Sequence, residues 1–369
     1  MKILYLTDQT YLHGGIEKVL SQKANYLADI NCDEVLIATH SQRGNKPVYD
    51  FSEKIRMVDI KIAYETERSY LHPRNLRKVP KHKAALGRLL RDFQPDVVVS
   101  CSYGPDFFFI PYIKRSIPKI KEFHSSRFFR SAISLKEKVL SKLEHWVEAK
   151  YHAIVVLNPD ENKYYHSENM SIIPNPAEFS DIRADRSVKR IMAAGRIAPV
   201  KNFGALIDAF SALAPDFADW ELHFWGSDYL DTQKKLQQQI NRLGLQQQVS
   251  FMGSAADLKK EMQHYSIYAM TSETECFPMV LLEALSVGMP VITWDAPTGP
   301  RHIVSNGSDG IITPYRNLDI FAEQLGSLMR DEQLRTRLGK SASDNVRRFG
   351  ISSVMKQWKE LFEDLTIKS

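Results

Sequence analysis

Two glutamates, separated by seven residues, stand in a mostly apolar stretch of the sequence. They are Glu275 and Glu283, in SETECFPMVLLEALSVGMP (272–290). Because proline favours the first position of a helix, the stretch predicts a helix from Pro278 to about Val287. One carboxylate would lie in the loop before this helix, and the other about one and a half turns into it. Each could accept hydrogen bonds from a pair of hydroxyl groups.

A purely structural explanation of these glutamates remains open. Glu275 would then compensate the positive end of the helix dipole, and Glu283 would be solvated. Against this, Glu283 has apolar neighbours in sequence, and a buried carboxylate needs hydrogen-bonding partners. The start of the helix would offer N–H groups to a diphosphate, and the residues concerned are Phe277, Pro278, Met279 and Val280.

Two cations follow another apolar run. Arg196 and Lys201 come after RIMAAG (190–195) in RIAPVKNFGAL, so both would lie in one loop between a strand and a helix. A guanidinium, which can donate two parallel hydrogen bonds, and an ammonium, which acts as a point charge, together suit two linked phosphates. The alternative is a pair of exposed cations that bind nothing.

The N-terminal half contains two weaker candidates. Gly14 and Gly15 follow the apolar run ILYLT (3–7) and would let the backbone approach a ligand at the start of a helix, although a plain glycine turn explains them equally well. The dinucleotide-binding pattern G-x-G-x-x-G does not occur in the sequence. His124 follows the predicted strand KIKEFH, and a lone histidine is more often structural than functional.

Short apolar runs alternate with helical patterns along the chain. The runs are ILYLT (3–7), EVLIATH (34–40), DVVVSCS (96–102), AIVVLN (153–158), RIMAAG (190–195), WELHFWG (220–226), VSFMG (249–253), IYAMTS (267–272) and PVITW (290–294). They are largely apolar throughout, as is typical of parallel strands covered on both faces, so we predict an α/β fold with doubly wound parallel sheets. A polar stretch with two prolines at 174–189 indicates a boundary between two halves, and an amphipathic helix is predicted over 351–365.

The composition is that of an ordinary soluble globular protein. The chain has 369 residues, 43% of them hydrophobic and 25% charged, and its net charge is +5. Its three cysteines, Cys32, Cys101 and Cys276, show neither a disulfide framework nor metal-ligand spacing, which predicts a reducing cytoplasm. Because D-x-D, H-E-x-x-H and long apolar runs do not occur, we predict no metal site and no membrane-spanning helix.

Two basic stretches lie in the N-terminal half, at 72–92 and 112–143. Such stretches are either solvated faces or contacts for an anionic surface. The second also carries Phe128, Phe129 and Ile133, which would insert shallowly among lipid head groups. Peripheral contact with an anionic membrane is therefore one of two open interpretations, whereas we expect no nucleic-acid partner.

Several motifs occur in a characteristic order, namely AAGRIAPVKNFGALIDAF, FWGSD, VSFMG and TSETECFPMVLLEALSVGMPVITWDAPTGP. Together they resemble the retaining glycosyltransferases of family four, and the most specific match is the pair of glutamates in ECFPMVLLEA. The resemblance is clear over about 190–314 and looser over 1–175, where HGGIEKV and IPNPAEF match.

This resemblance implies the GT-B architecture, in which two Rossmann-like domains with doubly wound parallel sheets face a cleft. The N-terminal acceptor-side domain would comprise residues 1–178, joined by a C-terminal helix at 351–369, and the nucleotide-sugar donor domain would comprise 179–350. Members of the family transfer a sugar from a nucleoside diphosphate sugar with retention of configuration, and need neither a catalytic metal nor another cofactor.

The resemblance also implies roles for the donor-side candidates. Arg196 and Lys201 would hold the diphosphate, Glu283 the ribose and Glu275 the donor sugar. The chemistry agrees, because breaking the bond between sugar and phosphate needs charge stabilisation on the leaving diphosphate. Two cations and a helix start can supply that stabilisation where other enzymes use a magnesium ion.

Roles in the N-terminal half and one departure follow from the same comparison. The Gly14–Gly15 loop would lie near the donor phosphate and the acceptor, and His124 near the sugar. Asn175 matches a hinge asparagine. His302 stands where the family often has a glutamate, which puts local contacts to the sugar or phosphate in doubt.

The sequence thus predicts a metal-independent glycosyltransferase of the hexosyltransferase type. The stretch PTGP (297–300) is similar to that of bacterial members that use UDP-hexoses or UDP-N-acetylhexosamines to build surface polysaccharides such as lipopolysaccharide or capsule. The acceptor would be a glycan or a lipid-linked glycan, and the protein would be cytoplasmic, with or without peripheral contact to the membrane. The alternatives are a nucleotide-sugar-binding protein without turnover and a GT-B epimerase.

Overall fold

The computed structural model describes residues 1–65, 67–69, 71–128, 135–165 and 167–367. The chain forms two compact units, one of Met1–Pro176 with the C-terminal segment from Ile351, and one of Ala177–Gly350. Ala177 belongs to the second unit, where its N–H donates to the carbonyl of Phe349 at 2.7 Å. The division therefore lies two residues before the predicted boundary.

The N-terminal unit is built on a parallel sheet whose described strands run in the order β3-β2-β1-β4-β5-β6-β7. The strands are β1 (Lys2–Thr7), β2 (Glu34–Thr39), β3 (Arg56–Asp59), β4 (Val97–Ser100), β5 (Lys119–Glu122), β6 (Ala153–Val156) and β7 (Met170–Ile172). Side chains alternate between the two faces, so Ile3 and Tyr5 join one buried cluster, and Leu4 joins another. Both faces are covered, which explains why most of the central strands are apolar, with the exception of β5 and its buried Lys119, Lys121 and Glu122.

Helices of this unit cover those two faces. Its helices are α1 (Gly15–Asp29), α2 (Pro73–Leu76), α3 (Val79–Phe93), α4 (Leu135–Glu148) and, from the C-terminus, α12 (Ile351–Ile367). The face that carries Tyr5 packs against α1 and α12, and α12 buries Val354, Met355, Trp358 and Phe362 there. The opposite face packs against α3.

The C-terminal unit has a second parallel sheet, with described strands in the order β10-β9-β8-β11-β12-β13. The strands are β8 (Arg190–Ala194), β9 (Glu221–Trp225), β10 (Val249–Gly253), β11 (Ile267–Met270), β12 (Val291–Trp294) and β13 (Gly310–Thr313). The helices are α5 (Phe203–Leu213), α6 (Thr232–Leu243), α7 (Leu258–Met262), α8 (Met279–Ser286), α9 (Pro300–Ile303), α10 (Leu318–Arg330) and α11 (Glu332–Asn345). Each unit is thus a Rossmann-like doubly wound domain, as predicted.

All nine predicted apolar runs contain strands, and so does KIKEFH, but β3, β7 and β13 lie outside the nine runs. These three are edge strands with short, partly exposed segments. The predicted start of α8 is wrong by one residue, because Pro278 has an extended ψ of 116° and stands just before the helix. No helix in the described parts of the chain is long and apolar enough to cross a membrane.

Candidate functional site

The ammonium of Lys201 and the carboxylate of Glu275 form an ion pair in the C-terminal unit. Lys201 Nζ lies 2.5 Å from Glu275 Oε1, and the two side chains are only 19% and 13% exposed. Lys201 follows β8 and Glu275 follows β11, which are neighbouring strands, so both come from the carboxyl edge of the sheet. An ammonium has three N–H groups, and one bond to Glu275 leaves two that can meet an anion.

The backbone before α5 holds Lys201 in place. Gly195 has a φ of +143°, and a Cβ there would lie 3.0 Å from Lys201 Cε, so only glycine suits both the backbone and the neighbouring lysine stem. Asn202 adopts a left-handed conformation with φ of 44°, and its side chain accepts a hydrogen bond from the N–H of Ala205. Thr271 Oγ1 donates to the Asn202 carbonyl at 2.9 Å, which joins this loop to the end of β11.

Glu273 connects three loops around the ion pair, and sequence reasoning missed it. Its Oε1 accepts from Asn202 Nδ2 at 2.5 Å, and its Oε2 accepts from the Tyr315 hydroxyl at 2.9 Å and from Arg316 Nε at 2.8 Å. Its N–H donates to the carbonyl of Val200 at 2.8 Å. The residue looks like a solvated loop glutamate in sequence, but here it fixes Asn202, the neighbour of Lys201.

The backbone on the other side of Glu275 is fixed by the loop after β12. The Glu275 N–H donates to the Pro297 carbonyl at 2.8 Å, and the Glu275 carbonyl accepts from the Thr298 N–H at 2.7 Å. A Cβ on Gly299 would lie 2.6 Å from the Cys276 carbonyl oxygen, so this close approach requires glycine. The backbone at Glu275 is therefore fixed against the loop after β12, and this fixes the point from which its side chain extends.

The start of α8 and Glu283 complete the donor-side candidates. No described side chain caps α8, so the N–H groups of its first turn, at Met279 and Val280, point out of the helix end without a side-chain acceptor. Phe277 and Pro278 are buried, and Phe277 packs edge-on against Phe349 at 5.4 Å between ring centroids. Glu283 is buried on α8.

Both site carboxylates influence the same tyrosine. Burial raises the pKa of Tyr268 far above its usual value, and the charges of Glu275 and Glu283 raise it further. The Tyr268 hydroxyl donates to the Ala194 carbonyl at 3.0 Å, at the end of β8. The two glutamates therefore concentrate negative charge at one edge of the sheet, and Lys201 offsets it.

Arg196, in the loop after β8, packs against an aromatic ring. It is exposed, and its guanidinium carbon lies 4.8 Å from the centre of the Tyr229 ring. The loop that carries Tyr229 is tied to the loop of Arg196, because the Ile197 N–H donates to the Ser227 carbonyl and the Tyr229 N–H to the Ile197 carbonyl. The structure thus places Arg196 at the same sheet edge as Lys201, against an aromatic ring.

In the N-terminal unit, the glycine loop after β1 begins α1. Gly14 is the residue before the helix and Gly15 is its first residue, as the pattern predicted. Beneath them, the amide of Gln9 donates to the carboxylate of Glu17, and its Oε1 accepts from the N–H of Leu12 at 2.9 Å. Burial raises the pKa of Glu17, and the nearby charge of Asp8 adds to the effect.

His124 lies against a buried cluster of charges. Its Nε2 is 3.3 Å from Glu122 Oε1, and Glu122 also accepts hydrogen bonds from Lys23 Nζ at 2.6 Å. Lys23 Nζ lies 4.1 Å from the ring centre of Trp358 on α12. Despite burial, the charges of Lys23 and His124 hold the pKa of Glu122 well below its usual value. Sequence reasoning missed Glu122, although a charged residue on a central strand was the signal.

Two further predictions concern metals and the departure at His302. The described residues contain no group of three or more His, Cys, Asp or Glu side chains that could hold a metal ion.

His302 lies in the short helix α9 next to Arg301, whose guanidinium forms two hydrogen bonds of 2.8 and 2.7 Å with the carboxylate of Asp295. The charge next to His302 in sequence is therefore the Arg301 guanidinium, which pairs with the carboxylate of Asp295 directly after β12.

Comparison with protein families identifies both units. The family model for "Glycosyltransferase Family 4" matches residues 13–180, and the model for "Glycosyl transferases group 1" matches residues 175–345. The two matches meet where the chain passes from one unit to the other. They define a glycosyltransferase with the GT-B fold.

Individual proteins are similar to part or all of the chain. A Streptomyces coelicolor exopolysaccharide phosphotransferase is 33% identical over 199 residues, but this match covers 53% of the present chain, which spans only 21% of that protein. The amylovoran biosynthesis glycosyltransferase AmsD of Erwinia amylovora is 24% identical over 98% of this chain and 99% of its own length. The crystal structure of Anabaena HepE in complex with UDP has a TM-score of 0.77, with 18% identity, and the match covers 99% of this chain and 100% of that one.

The chain therefore belongs to the family-4 type of GT-B glycosyltransferases.

Proposed function

We propose that the protein transfers a hexose or an N-acetylhexosamine from a UDP-sugar to a glycan or lipid-linked acceptor, in the synthesis of a cell-surface polysaccharide. The transfer retains the anomeric configuration and uses no metal. The observation that carries the proposal is the Lys201–Glu275 ion pair, which lies in the loops after two adjacent parallel strands. In such sheets, ligands bind beyond the carboxyl ends of the strands.

The chemistry assigns a task to each donor-side group. When the bond from the anomeric carbon to the phosphate oxygen breaks, the leaving UDP carries the electron pair and its charge must be stabilised. Lys201 and Arg196 hold this charge, with the N–H groups at the start of α8. Glu275 orients the donor sugar through its hydroxyl groups, and Glu283 binds the ribose.

Lys201 can bind phosphate without giving up Glu275, because its ammonium has donors for both. The carboxylate thereby orients the ammonium towards the phosphate, and its remaining lone pairs can accept hydrogen bonds from sugar hydroxyls. Arg196 differs from Lys201 in offering a planar fork of N–H donors, which can meet two phosphate oxygens at once. When the Arg196 guanidinium binds the diphosphate, it either moves away from the Tyr229 ring or remains stacked on it.

Support for the donor and the acceptor class comes from the relatives. HepE was crystallised with UDP, and AmsD is named for the biosynthesis of amylovoran. We assign the N-terminal unit, with Gly14, Gly15 and His124, to the acceptor side. We also place the protein in the cytoplasm, in peripheral contact with the membrane; Phe129 and Ile133, which the sequence nominated for that contact, lie outside the described residues.

A panel of nucleoside diphosphate sugars tests the donor assignment by thermal shift. A donor at about 100 times its dissociation constant stabilises the folded protein by roughly 2.7 kcal/mol, which gives a clear rise in melting temperature. We expect UDP-sugars to raise it and GDP-sugars to leave it unchanged. No rise with any UDP-sugar contradicts the donor assignment.

Turnover is then measured as release of UDP with a mixture of bacterial glycan acceptors. Acceptor-dependent release, with the α-configured donor giving an α-linked product, supports the proposal. Binding of a UDP-sugar without any release would instead identify a nucleotide-sugar-binding protein.

A further inference from the structure

Helix α4 of the N-terminal unit presents three large apolar side chains to solvent. Val139, Leu143 and Trp146 are 61%, 42% and 54% exposed. Since a helix turns by about 100° per residue, their spacing of four and three residues places all three within roughly 60° of arc. They form one stripe along the helix, which we call the α4 stripe.

An aromatic pair extends the stripe beyond the helix. The indole of Trp146 stacks on the ring of Tyr112, with 6.0 Å between centroids and 26° between the planes. Lys150 lies 5.5 Å from the centre of the Trp146 ring, and Arg115 lies 5.5 Å from that of Tyr112. The apolar surface is therefore bordered by cations at this end.

The charges of α4 are sorted between its two sides. Its buried carboxylates point into the unit, where Glu144 accepts from the Tyr103 hydroxyl and Glu148 pairs with Arg127. Lys138 and Lys142 lie on the exposed side, next to the stripe. Glu137 is exposed as well, but at about 100° per residue it lies roughly 160° around the helix from Val139, so the charges of α4 beside the stripe are the two lysines.

We propose that the α4 stripe lies on an anionic lipid bilayer, with Val139, Leu143 and Trp146 at the level of the head groups and Lys138 and Lys142 paired with phosphates. An apolar face flanked by lysines, with a tryptophan among its apolar side chains, is what an interfacial helix requires. The proposal rests on the membrane contact within the proposed function and deepens it: the lysines lie within the basic stretch 112–143, but the inserting apolar side chains are those of α4 instead of Phe128, Phe129 and Ile133.

The arrangement favours lipid over a second protein chain. The exposed lysines attract an anionic surface, and each contributes about a fivefold gain in binding when it comes within a Debye length of the head groups. In a symmetric pair of copies, by contrast, the same lysines would face each other and repel. Attachment should therefore be reversible and sensitive to salt.

Trp146 provides a direct spectroscopic test. The chain has five tryptophans, and Trp146 alone among them is exposed, since Trp220, Trp294 and Trp358 are buried and Trp225 is half-buried. We expect vesicles of phosphatidylglycerol and phosphatidylcholine (1:1) to shift the tryptophan emission to the blue, and pure phosphatidylcholine vesicles to have a much weaker effect. The shift should vanish in Trp146→Phe, which still co-sediments with the vesicles.

Charge and apolar variants separate the two parts of the contact. Lys138→Ala/Lys142→Ala should weaken co-sedimentation by about 25-fold, and Val139→Gln/Leu143→Gln should weaken it at every salt concentration. The matched controls are Lys356→Ala/Lys359→Ala, on exposed positions of α12, and Ile30→Gln, an equally exposed apolar residue after α1. Circular dichroism confirms that each variant is folded.

The outcomes are distinct. The proposal is overturned if the protein stays in the supernatant with anionic vesicles at low salt, if the control variants lose as much binding as the α4 variants, or if light scattering shows a dimer that the α4 variants dissociate. The thermal shift with UDP-sugar should be unchanged in all α4 variants. Failure of that shift in the wild type would contradict the donor assignment and leave the vesicle result standing.

Discussion

Lys201 Nζ lies 2.5 Å from Glu275 Oε1, although 74 residues separate the two in sequence. The contact exists because β8 and β11 are neighbours in the sheet, so the loops that follow them meet at one edge. Changes in the supporting loops can therefore disrupt this arrangement, since a shift of about 1 Å at a reacting centre can cost about a hundredfold in rate.

Arg196→Ala and Lys201→Ala should each lower kcat by about 10² to 10³, because each removes one charge that stabilises the leaving diphosphate. The measurement is UDP release at saturating donor. Lys235→Ala and Arg242→Ala, exposed cations on α6, serve as controls and should be near wild type. Turnover close to wild type in either site variant would refute the assignment of that cation.

Glu273→Gln should lower kcat about tenfold to a hundredfold with a small effect on folding, because the amide cannot accept from Asn202, Tyr315 and Arg316 together. Steady-state kinetics with varied donor measure this. Arg316→Ala is the matched control, since it removes an exposed partner but leaves the bond from Asn202 to Glu273. Equal losses in the two variants would mean that Glu273 does not act through Asn202.

Most central strands were predictable from the sequence, and so was the edge strand β10, whereas the edge strands β3, β7 and β13 were not. A central parallel strand is covered on both faces, so hydrophobicity alone reveals it, as in VVVS of β4. The exposed residues of β3 and the three-residue length of β7 leave no such signal. The pattern also predicted α12, whose apolar side of Val354, Trp358 and Phe362 is buried as expected.

Candidate residues were predictable individually, but their partners were not. Glu275 and Lys201 stood out by type and by position after apolar runs, whereas nothing local links two loops that are distant in sequence. Glu122 was overlooked although its segment KIKEFH was predicted as a strand, because charged residue types such as Lys119, Lys121 and Glu122 are mostly exposed, whereas all three are buried here. Charged residues on a central strand conflict with its burial, and such conflicts occur at functional sites.

Activity should persist in excess EDTA, because Lys201, Arg196 and the start of α8 take the part that a divalent cation plays elsewhere. UDP release is measured with and without chelator after dialysis. The control is addition of magnesium or manganese, which should change the rate less than twofold if the metal-free mechanism is correct. A rate that disappears in EDTA and returns with either metal contradicts it.

Glu122→Gln should destabilise the N-terminal unit by about 3–5 kcal/mol, because it leaves the buried ammonium of Lys23 without a counter-charge. Denaturant unfolding measures the loss, with the two units treated as separate transitions. The double variant Lys23→Met/Glu122→Leu should recover most of it, since an apolar pair replaces the ion pair. If the double variant is stable but inactive, Glu122 also positions His124; if it keeps full activity, Glu122 serves stability alone.

His82 should make the N-terminal unit sensitive to mild acid. Burial lowers its pKa to about 4, with Asp106 raising and His40 further lowering it, whereas the unfolded chain has the ordinary value near 6.5. The unfolded state therefore binds a proton first, so stability falls as the pH drops from about 6.5 towards 4, by about 3 kcal/mol in total. Above about pH 7 this histidine is neutral in both states and does not change how the free energy of unfolding depends on pH.

His82→Phe removes the titration but also the contact of its Nδ1 with the Tyr64 hydroxyl at 3.1 Å. The variant should therefore be less stable at pH 7, and its stability should depend less on pH. Unfolding free energies measured by denaturant between pH 7 and pH 4.5 give both slopes, and equal slopes for variant and wild type would contradict the assignment.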